Sequence, residues 1–436
     1  MFIYIKDKMK TNLEQFSKED HGIYKKDIDP DVITVSDILI NNGFQAFLVG
    51  GCIRDILLNK KPKDFDIATD ASPSEICNLF DNARIIGRRF KIVHVYVSDK
   101  KYFEVTTFRS DISKKNNEKK FKKTHGMIKR DNVFGTISQD AQRRDFTINS
   151  LYLDLDNENL HDYVGGINDI KNKKLKLIKK PSISYQEDPV RMLRAIRFES
   201  KLNIRLTEEC SSSIKKMSHL INNVSPFRLF DEILKIMHSG KGVEGYLKLR
   251  EYNLFKYLFP YTEKILKDEK KYNDFFIKAL TNTDVRINDG LHVNPSFIYA
   301  VFLWPYFEDI ERKKSNPDQN DFDTIFTKVI ESQAKYISIP DFFKSTIFTI
   351  WSLQNSFLNL SSRNIHYVTS LNKFRAAYDF FYIRSLIDPD LEKFADKWYE
   401  IQKTVKSKKT MRKRNYNGKR KKKIIQEIYI LELVVI

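Results

Sequence analysis

The stretch "FLVGGCIRDILLNKKPKDFDIAT", residues 47 to 69, confines the chain more tightly than any other. Its first apolar residues read as a short strand from Phe44 to Val49, and a double glycine then turns the chain into a helix. A second strand opens on Asp64 and Asp66, one residue apart. Side chains at i and i+2 of a strand share a face, so the two carboxylates are presented together. Like charges that close repel unless a cation sits between them. Mg²⁺ suits such a pair, because it takes hard oxygen ligands and keeps waters for substrate phosphates. Two such ions roughly 3.5–4 Å apart activate an attacking hydroxyl and stabilise a pyrophosphate leaving group. Gly50 and Gly51 let the backbone approach a triphosphate, and Arg54 adds a planar cationic fork. Asp-x-Asp alone is usually a turn acid beside a surface acid, and Gly-Gly alone is usually a turn. Strand, Gly-Gly, helix, strand and Asp-x-Asp in one order is far more specific.

The surrounding periodicity extends this unit. Ile33, Val35, Ile38, Leu39 and Ile40 predict a helical face that ends at Asn42-Gly43. "SPSEICNLF" predicts a helix capped by Ser72 with Pro73 at its first position. "KIVHVYV" and "KKYFEVTTFRS" predict further strands. Strands and helices mix to about residue 165, and from about 178 the pattern is helical. The expected fold is an α/β head, a small mixed sheet with helices, followed by an all-α remainder.

Of 436 residues, 76 are Lys or Arg and 57 Asp or Glu, a net charge of +19, which favours a polyanionic partner. Residues 114–130 carry eight basic side chains, among them Lys122 and Lys123, and 403–423 carry twelve, among them Arg412, Lys413, Arg414 and Arg420. Like-charge blocks are expected to be disordered until a polyanion neutralises them, or to be solubilising tails. Phe121 and Tyr416 within them are placed to stack on bases or to do nothing. Three cysteines without a CxxC pair suit a reducing compartment and argue against a zinc ribbon. The apolar run 297–307 is too short to span a bilayer. The expectation is a soluble cytoplasmic protein with no membrane partner.

Taken together, "LVGGCIRDILLNKKPKDFDIATDASP", "EVTTFRSD", "AQRRDFTINSLYLD", "DYVGGINDI" and "EDPVRMLRAIRFESKLN" resemble, in order, the motifs of class II nucleotidyltransferases, the superfamily of CCA-adding enzymes and bacterial poly(A) polymerases. The resemblance covers roughly residues 20 to 235. It implies a nucleotidyltransferase head over 1–170, a neck over 171–240 and an all-α RNA-binding body over 241–400, with the basic tail at 401–436. It further implies that Arg144 and Asp145 contact the nucleotide, with Asp145 completing the acidic set and Asn149 near the ribose. Asp188 and Arg191, three apart on a helix, would read the base edge. Read without the resemblance, Arg143, Arg144 and Asp145 are a surface ion pair, and Asp188 is a helix cap with Pro189 behind it. Glu104 is a further candidate carboxylate, and His94 reads as structural. Cys52 departs from the Gly or Ala that the family usually has.

"IIGRRFKIVHVYV", residues 85–97, "HGIYKKDIDPD" at 21, "GMIKRDNVFGTISQDAQRRDF" at 126 and the basic tail resemble the poly(A) polymerase branch. The implied activity is Mg²⁺-dependent, template-independent transfer of AMP from ATP to RNA 3′ ends, by a monomer that feeds RNA-decay machinery. A CCA-adding enzyme and a silent RNA-binding scaffold are the alternatives.

Overall fold

The computed structural model describes residues 13–87, 91–110, 133–314 and 321–403, and the backbone alone at 123–124, 127–128 and 404–414. It divides into two compact units, 1–260 with 334–338, and 261–333 with 339–436.

The first unit is built on one eight-stranded sheet. Its strands are β1 (Glu14–Phe16), β2 (Ala46–Val49), β3 (Asp66–Thr69), β4 (Ala83–Ile86), β5 (Ile92–Ser98), β6 (Lys101–Thr107), β7 (Leu151–Asp154) and β8 (Leu160–Asp162). They lie in the order β1-β8-β7-β2-β3-β6-β5-β4, antiparallel throughout except β3 against β6. Helix α1 (Pro30–Asn41) buries Val32, Val35 and Leu39, a face shifted from the expected one, since Ile33, Ile38 and Ile40 are only half-buried. Asp29 caps it by accepting from Asp31 N at 3.0 Å, with Pro30 at the first position. Helix α2 (Gly51–Leu57) follows the double glycine directly. Helix α3 (Pro73–Leu79) starts at Ser72, which caps as expected in a reciprocal box with Glu75. Helix α4 (Ile137–Arg143) begins at Thr136 in a box with Gln139. Val93, Val95 and Val105 fill the face beneath α3.

After the sheet come α5 (Pro181–Glu187), α6 (Val190–Leu202), α7 (Pro226–Met237) and α8 (Gly242–Glu251). Helix α6 packs on α7 and α8 through Leu193, Ile196, Ile233 and Leu249, all buried. Buried Glu199 of α6 accepts from Tyr252 Oη at 3.0 Å and from Leu206 N at 3.2 Å.

The second unit is helical: α9 (Lys271–Asn288), α10 (Ser296–Arg312), α11 (Asp341–Ser352), α12 (Phe374–Ser385) and α13 (Glu392–Arg414) are its longer apolar or basic members. The apolar run 297–307 is a buried helix around Pro305, not a membrane segment. Among the described residues no helix is long and apolar enough to cross a membrane. The basic run 403–423 was expected to be disordered until neutralised, or a solubilising tail. α13 carries its backbone as helix to Arg414, and 415–423 lie outside the described residues. Lys122, Arg420, Phe121, Tyr416 and the segment 88–90 lie outside the described residues. At Lys123, Arg412, Lys413 and Arg414 the described structure is backbone only.

Candidate active site

The site grows from the end of β2. Gly50 has φ +81 and ψ −121, a conformation that side chains resist. Its free edge faces Arg144: a Cβ added there would stand 3.4 Å from Arg144 Nη1 and 3.7 Å from Asn149 O. Gly51 differs, because an added Cβ would meet only Arg54 Nη2, at an ordinary 3.6 Å. The positive φ therefore calls for glycine at 50, while at 51 the protein's own atoms tolerate a methyl. Cys52 turns its thiol inward, 3.5 Å from Val49 O, and burial pushes that thiol up to about 12. It stays a neutral packing group and does not line the turn.

β3 pairs with β2 so that Asp66 stands opposite Val49, one residue before the turn. The strand begins at Asp66, and Asp64 precedes it, exposed and outside any strand. Among the described residues neither carboxylate has a hydrogen bond or ion pair. Asp66 is pushed up to about 6, chiefly by burial, then by Glu104 and Asp64, against the pull of Arg144. Glu104 faces Asp66 in register, yet among the described residues no three His, Cys, Asp or Glu side chains converge as a metal cluster.

Arg144 is clamped from below. Its Nε donates to Tyr152 Oη at 2.8 Å, and Nε and Nη2 reach Asp140 Oδ2 at 3.2 and 3.1 Å. Tyr152 Oη donates to the same oxygen at 2.7 Å. Burial works against the Asp140 anion, but Arg144, Arg143 and Tyr152 hold its carboxyl below the ordinary range. The Arg144–Asp145 run is thus no surface ion pair but the base of a buried network.

Asp145 was expected to complete the acidic set. Its oxygens are engaged by Arg194 Nε at 2.6 Å, Asn149 Nδ2 at 3.1 Å and Phe146 N at 2.8 Å. Burial would raise it, but Arg194 and Asn149 bring it down to about 2. Asn149 Oδ1 also accepts from Arg54 Nη1 at 2.6 Å, and Arg54 Nε and Nη2 hold Asp55 Oδ1 at 2.9 and 2.6 Å. Three of the five Arg54 N–H donors are used in this way, which leaves two. Asp55, Arg54, Asn149, Asp145 and Arg194 form one chain that fixes α2 to α6.

Asp188 and Arg191 do not share a helical face. Asp188 lies in extended chain between α5 and α6, at φ −150, because Pro189 follows it and only then does α6 begin. Its cap role survives as a 3.3 Å bond from Val190 N. Both its oxygens are gripped by Arg228 of α7, at 2.8 and 2.7 Å. Arg191 turns to Ser184 Oγ at 2.8 Å and Arg143 O at 3.3 Å.

Sequence reasoning passed over Asp140, Tyr152, Arg194, Arg197, Phe198 and Arg228. Arg54, Arg194 and Arg197 crowd one ring, with guanidinium carbons 5.0, 5.3 and 4.9 Å from the Phe198 centroid. The signal for two of them was legible: "RMLRAIR" repeats arginine at every third position, which stacks them along one side of a helix. Arg197 is pushed below its ordinary range by burial, then by Arg194.

Comparison with known proteins decides the family. Over 417 residues, 93% of this chain and 89% of the other, it is 39% identical to poly(A) polymerase I of Haemophilus influenzae (strain ATCC 51907 / DSM 11121 / KW20 / Rd). This chain belongs to the poly(A) polymerase I family. Residues 46–176 match the family model of the poly A polymerase head domain, 203–266 that of the probable RNA and SrmB-binding site of polymerase A, and 314–426 that of the polymerase A arginine-rich C-terminus. As a member of the poly(A) polymerase family it is a nucleotidyltransferase. Likeness to the CCA-adding enzyme of Bacillus pumilus (strain SAFR-032), 35% identity, stops at half of each chain. A solved CCA-adding enzyme in an apo form shares the fold, with TM-score 0.62 and 18% identity over 97% of this chain and 91% of that one.

Proposed function

We propose that the protein is an ATP:RNA adenylyltransferase that extends RNA 3′ ends without a template. The observation that carries this reading is the pair Asp64 and Asp66, which among the described residues make no hydrogen bond or ion pair, beside a glycine turn topped by Arg144. Burial and two neighbouring carboxylates make Asp66 reluctant to ionise, and that is the electrostatic condition a hard divalent cation relieves. Asp64 and Asp66 would hold Mg²⁺. When bound, the metal supplies Lewis acidity to the attacking hydroxyl and charge neutralisation to the pyrophosphate. The RNA 3′-hydroxyl oxygen bonds to the α-phosphorus of ATP, and the α–β bridge bond breaks to release pyrophosphate.

The chain's own groups position that exchange. Gly51 leaves room over the turn for phosphate, and Arg144, held rigid by Asp140 and Tyr152, lies beside it. Arg54, Arg194 and Arg197 gather behind it around Phe198, each beside a carboxylate, Asp55, Asp145 and Glu232, and their remaining N–H donors suit a polyphosphate. Asp145 and Asn149 orient two of these arginines. Asp188 and Arg191 would read adenine, with Arg228 holding Asp188 through both its oxygens. On this division of labour residues 1–170 carry the chemistry and 171–240 the base pocket. The remainder, with the basic residues Lys122, Lys123, Arg412, Lys413, Arg414 and Arg420, supplies RNA affinity without sequence readout. The enzyme would work in the cytoplasm, as a monomer, beside RNA-decay machinery.

The test is one gel. Purified protein with Mg²⁺ is given an oligo(A)-ended RNA or a tRNA transcript lacking CCA, with ATP, CTP or both. Long ladders with ATP on either RNA support the proposal. Addition of two C and one A to the tRNA alone, followed by a stop, would replace it with CCA addition.

A further inference from the structure

The face of the sheet that carries Asp66 continues towards the β4 edge. In register, Asp66 stands opposite Glu104, Glu104 opposite His94, and His94 opposite Arg84. Opposed residues on neighbouring strands project from one face, so a single row runs from the carboxylates across three more strands. With strands about 4.8 Å apart, His94 lies about 10 Å and Arg84 about 15 Å from Asp66.

Beside that row stand rings. Tyr96 faces Tyr102 across β5 and β6, with centroids 5.5 Å apart. The His94 imidazole lies flat on Tyr102, at 4.1 Å and 13°, and Tyr96 meets His94 edge-on at 6.3 Å. The Arg84 guanidinium sits 5.6 Å over the Tyr96 ring. The opposite face of the same strands is ordinary core, with Val93, Val95, Phe103 and Val105 all buried. These rings are not needed to close that core, and Tyr102 is still 45% exposed.

A flat histidine–tyrosine pile flanked by a second tyrosine and a guanidinium is a surface that unpaired bases prolong by stacking. Double-stranded nucleic acid offers no free base faces to it. We propose that this face is a stacking platform for the single-stranded 3′-terminal nucleotides of the RNA, with Tyr102 and Tyr96 contacting bases, His94 backing Tyr102 with its Nε2 3.6 Å from Glu104 Oε1, and Arg84 contacting the backbone or a base plane. The occupant is set by continuity and charge. The platform shares one row with the carboxylates at which the 3′-hydroxyl must arrive, and the chain carries a net charge of +19. Stacking is indifferent to base identity, as an enzyme extending unrelated 3′ ends requires. The choice of ligand rests on the adenylyltransferase reading, while the geometry of the platform does not.

The test uses the full chain without ATP and a short RNA with 4-thiouridine at the second or third nucleotide from its 3′ end. On irradiation the label is expected on peptides from 84–104. In steady state Tyr102→Ala is expected to raise KM for RNA about tenfold. KM for ATP and kcat should stay within twofold, and Tyr102→Phe and Tyr102→Trp should behave as wild type, because the ring does the stacking. An unchanged KM for RNA in Tyr102→Ala, or labelling confined to other parts of the chain such as 111–130, overturns the proposal. Wild-type protein that binds and cross-links as expected yet transfers no AMP would retire the adenylyltransferase reading and leave the platform standing.

Discussion

Arg194 of α6 donates to Asp145 Oδ2 at 2.6 Å and holds that carboxyl at about 2, against an ordinary 3.8. A depressed carboxyl stabilises the fold above its unfolded value and loses that contribution as pH falls through the folded one. Between pH 5 and 2.5 this residue alone should account for about 1.5 kcal/mol of lost stability. Urea unfolding at both values should show wild type losing about that much more than Asp145→Asn. Equal losses would mean that the ion pair contributes nothing.

The clamp under Arg144 predicts an effect on nucleotide binding without loss of fold. Tyr152→Phe removes the hydroxyl that bridges Arg144 and Asp140, at about 1 kcal/mol of stability. KM for ATP should rise several-fold while the RNA dissociation constant, read by filter binding, stays unchanged. Asp140→Asn, which takes away the charge, should raise KM for ATP further.

The two glycines should separate. Gly50→Ala must adopt φ near +81 against Arg144, a strain of about 1–3 kcal/mol, and is expected to melt several degrees lower. Gly51→Ala meets only an ordinary contact, so its Tm should hold within a degree or two while ATP turnover falls sharply. Thermal melts beside initial rates decide the matter. A fully active Gly51→Ala would remove the phosphate from this turn.

Arg228 carries the prediction for base choice. It binds both oxygens of Asp188, so Arg228→Ala frees that carboxylate to turn. Incorporation from an equimolar mixture of the four triphosphates should then lose discrimination for ATP by roughly tenfold, the 1–3 kcal/mol of one well-made base contact.

These predictions draw on residues of unequal legibility. Gly50, Asp66 and the cap at Ser72 follow from local rules, because turn chemistry and strand alternation act over a few residues. The strands at 14–16, 83–86, 151–154 and 160–162 are too short to show a period, and only their sheet neighbours define them. Asp145 was read as part of the acidic set without its arginine, because a sequence gives a residue's type and not its partner. That partner, Arg194, stands 49 residues away. Asp188 seemed to share a helix face with Arg191 because spacing alone cannot show that Pro189 delays the helix. Its true partner lies 40 residues on, at Arg228.

The measurement that bears most directly on the central claim is the initial rate of AMP transfer to an oligo(A)-ended RNA by Asp66→Asn, with RNA binding and thermal stability measured on the same preparation. The isosteric amide keeps the shape of β3 and removes the charge that would hold Mg²⁺. A fall of roughly a thousandfold or more, matching the several kcal/mol that metal-assisted charge stabilisation supplies, with RNA binding and Tm preserved, is the predicted result. Transfer at the wild-type rate would contradict the assignment of Asp64 and Asp66 as the catalytic centre.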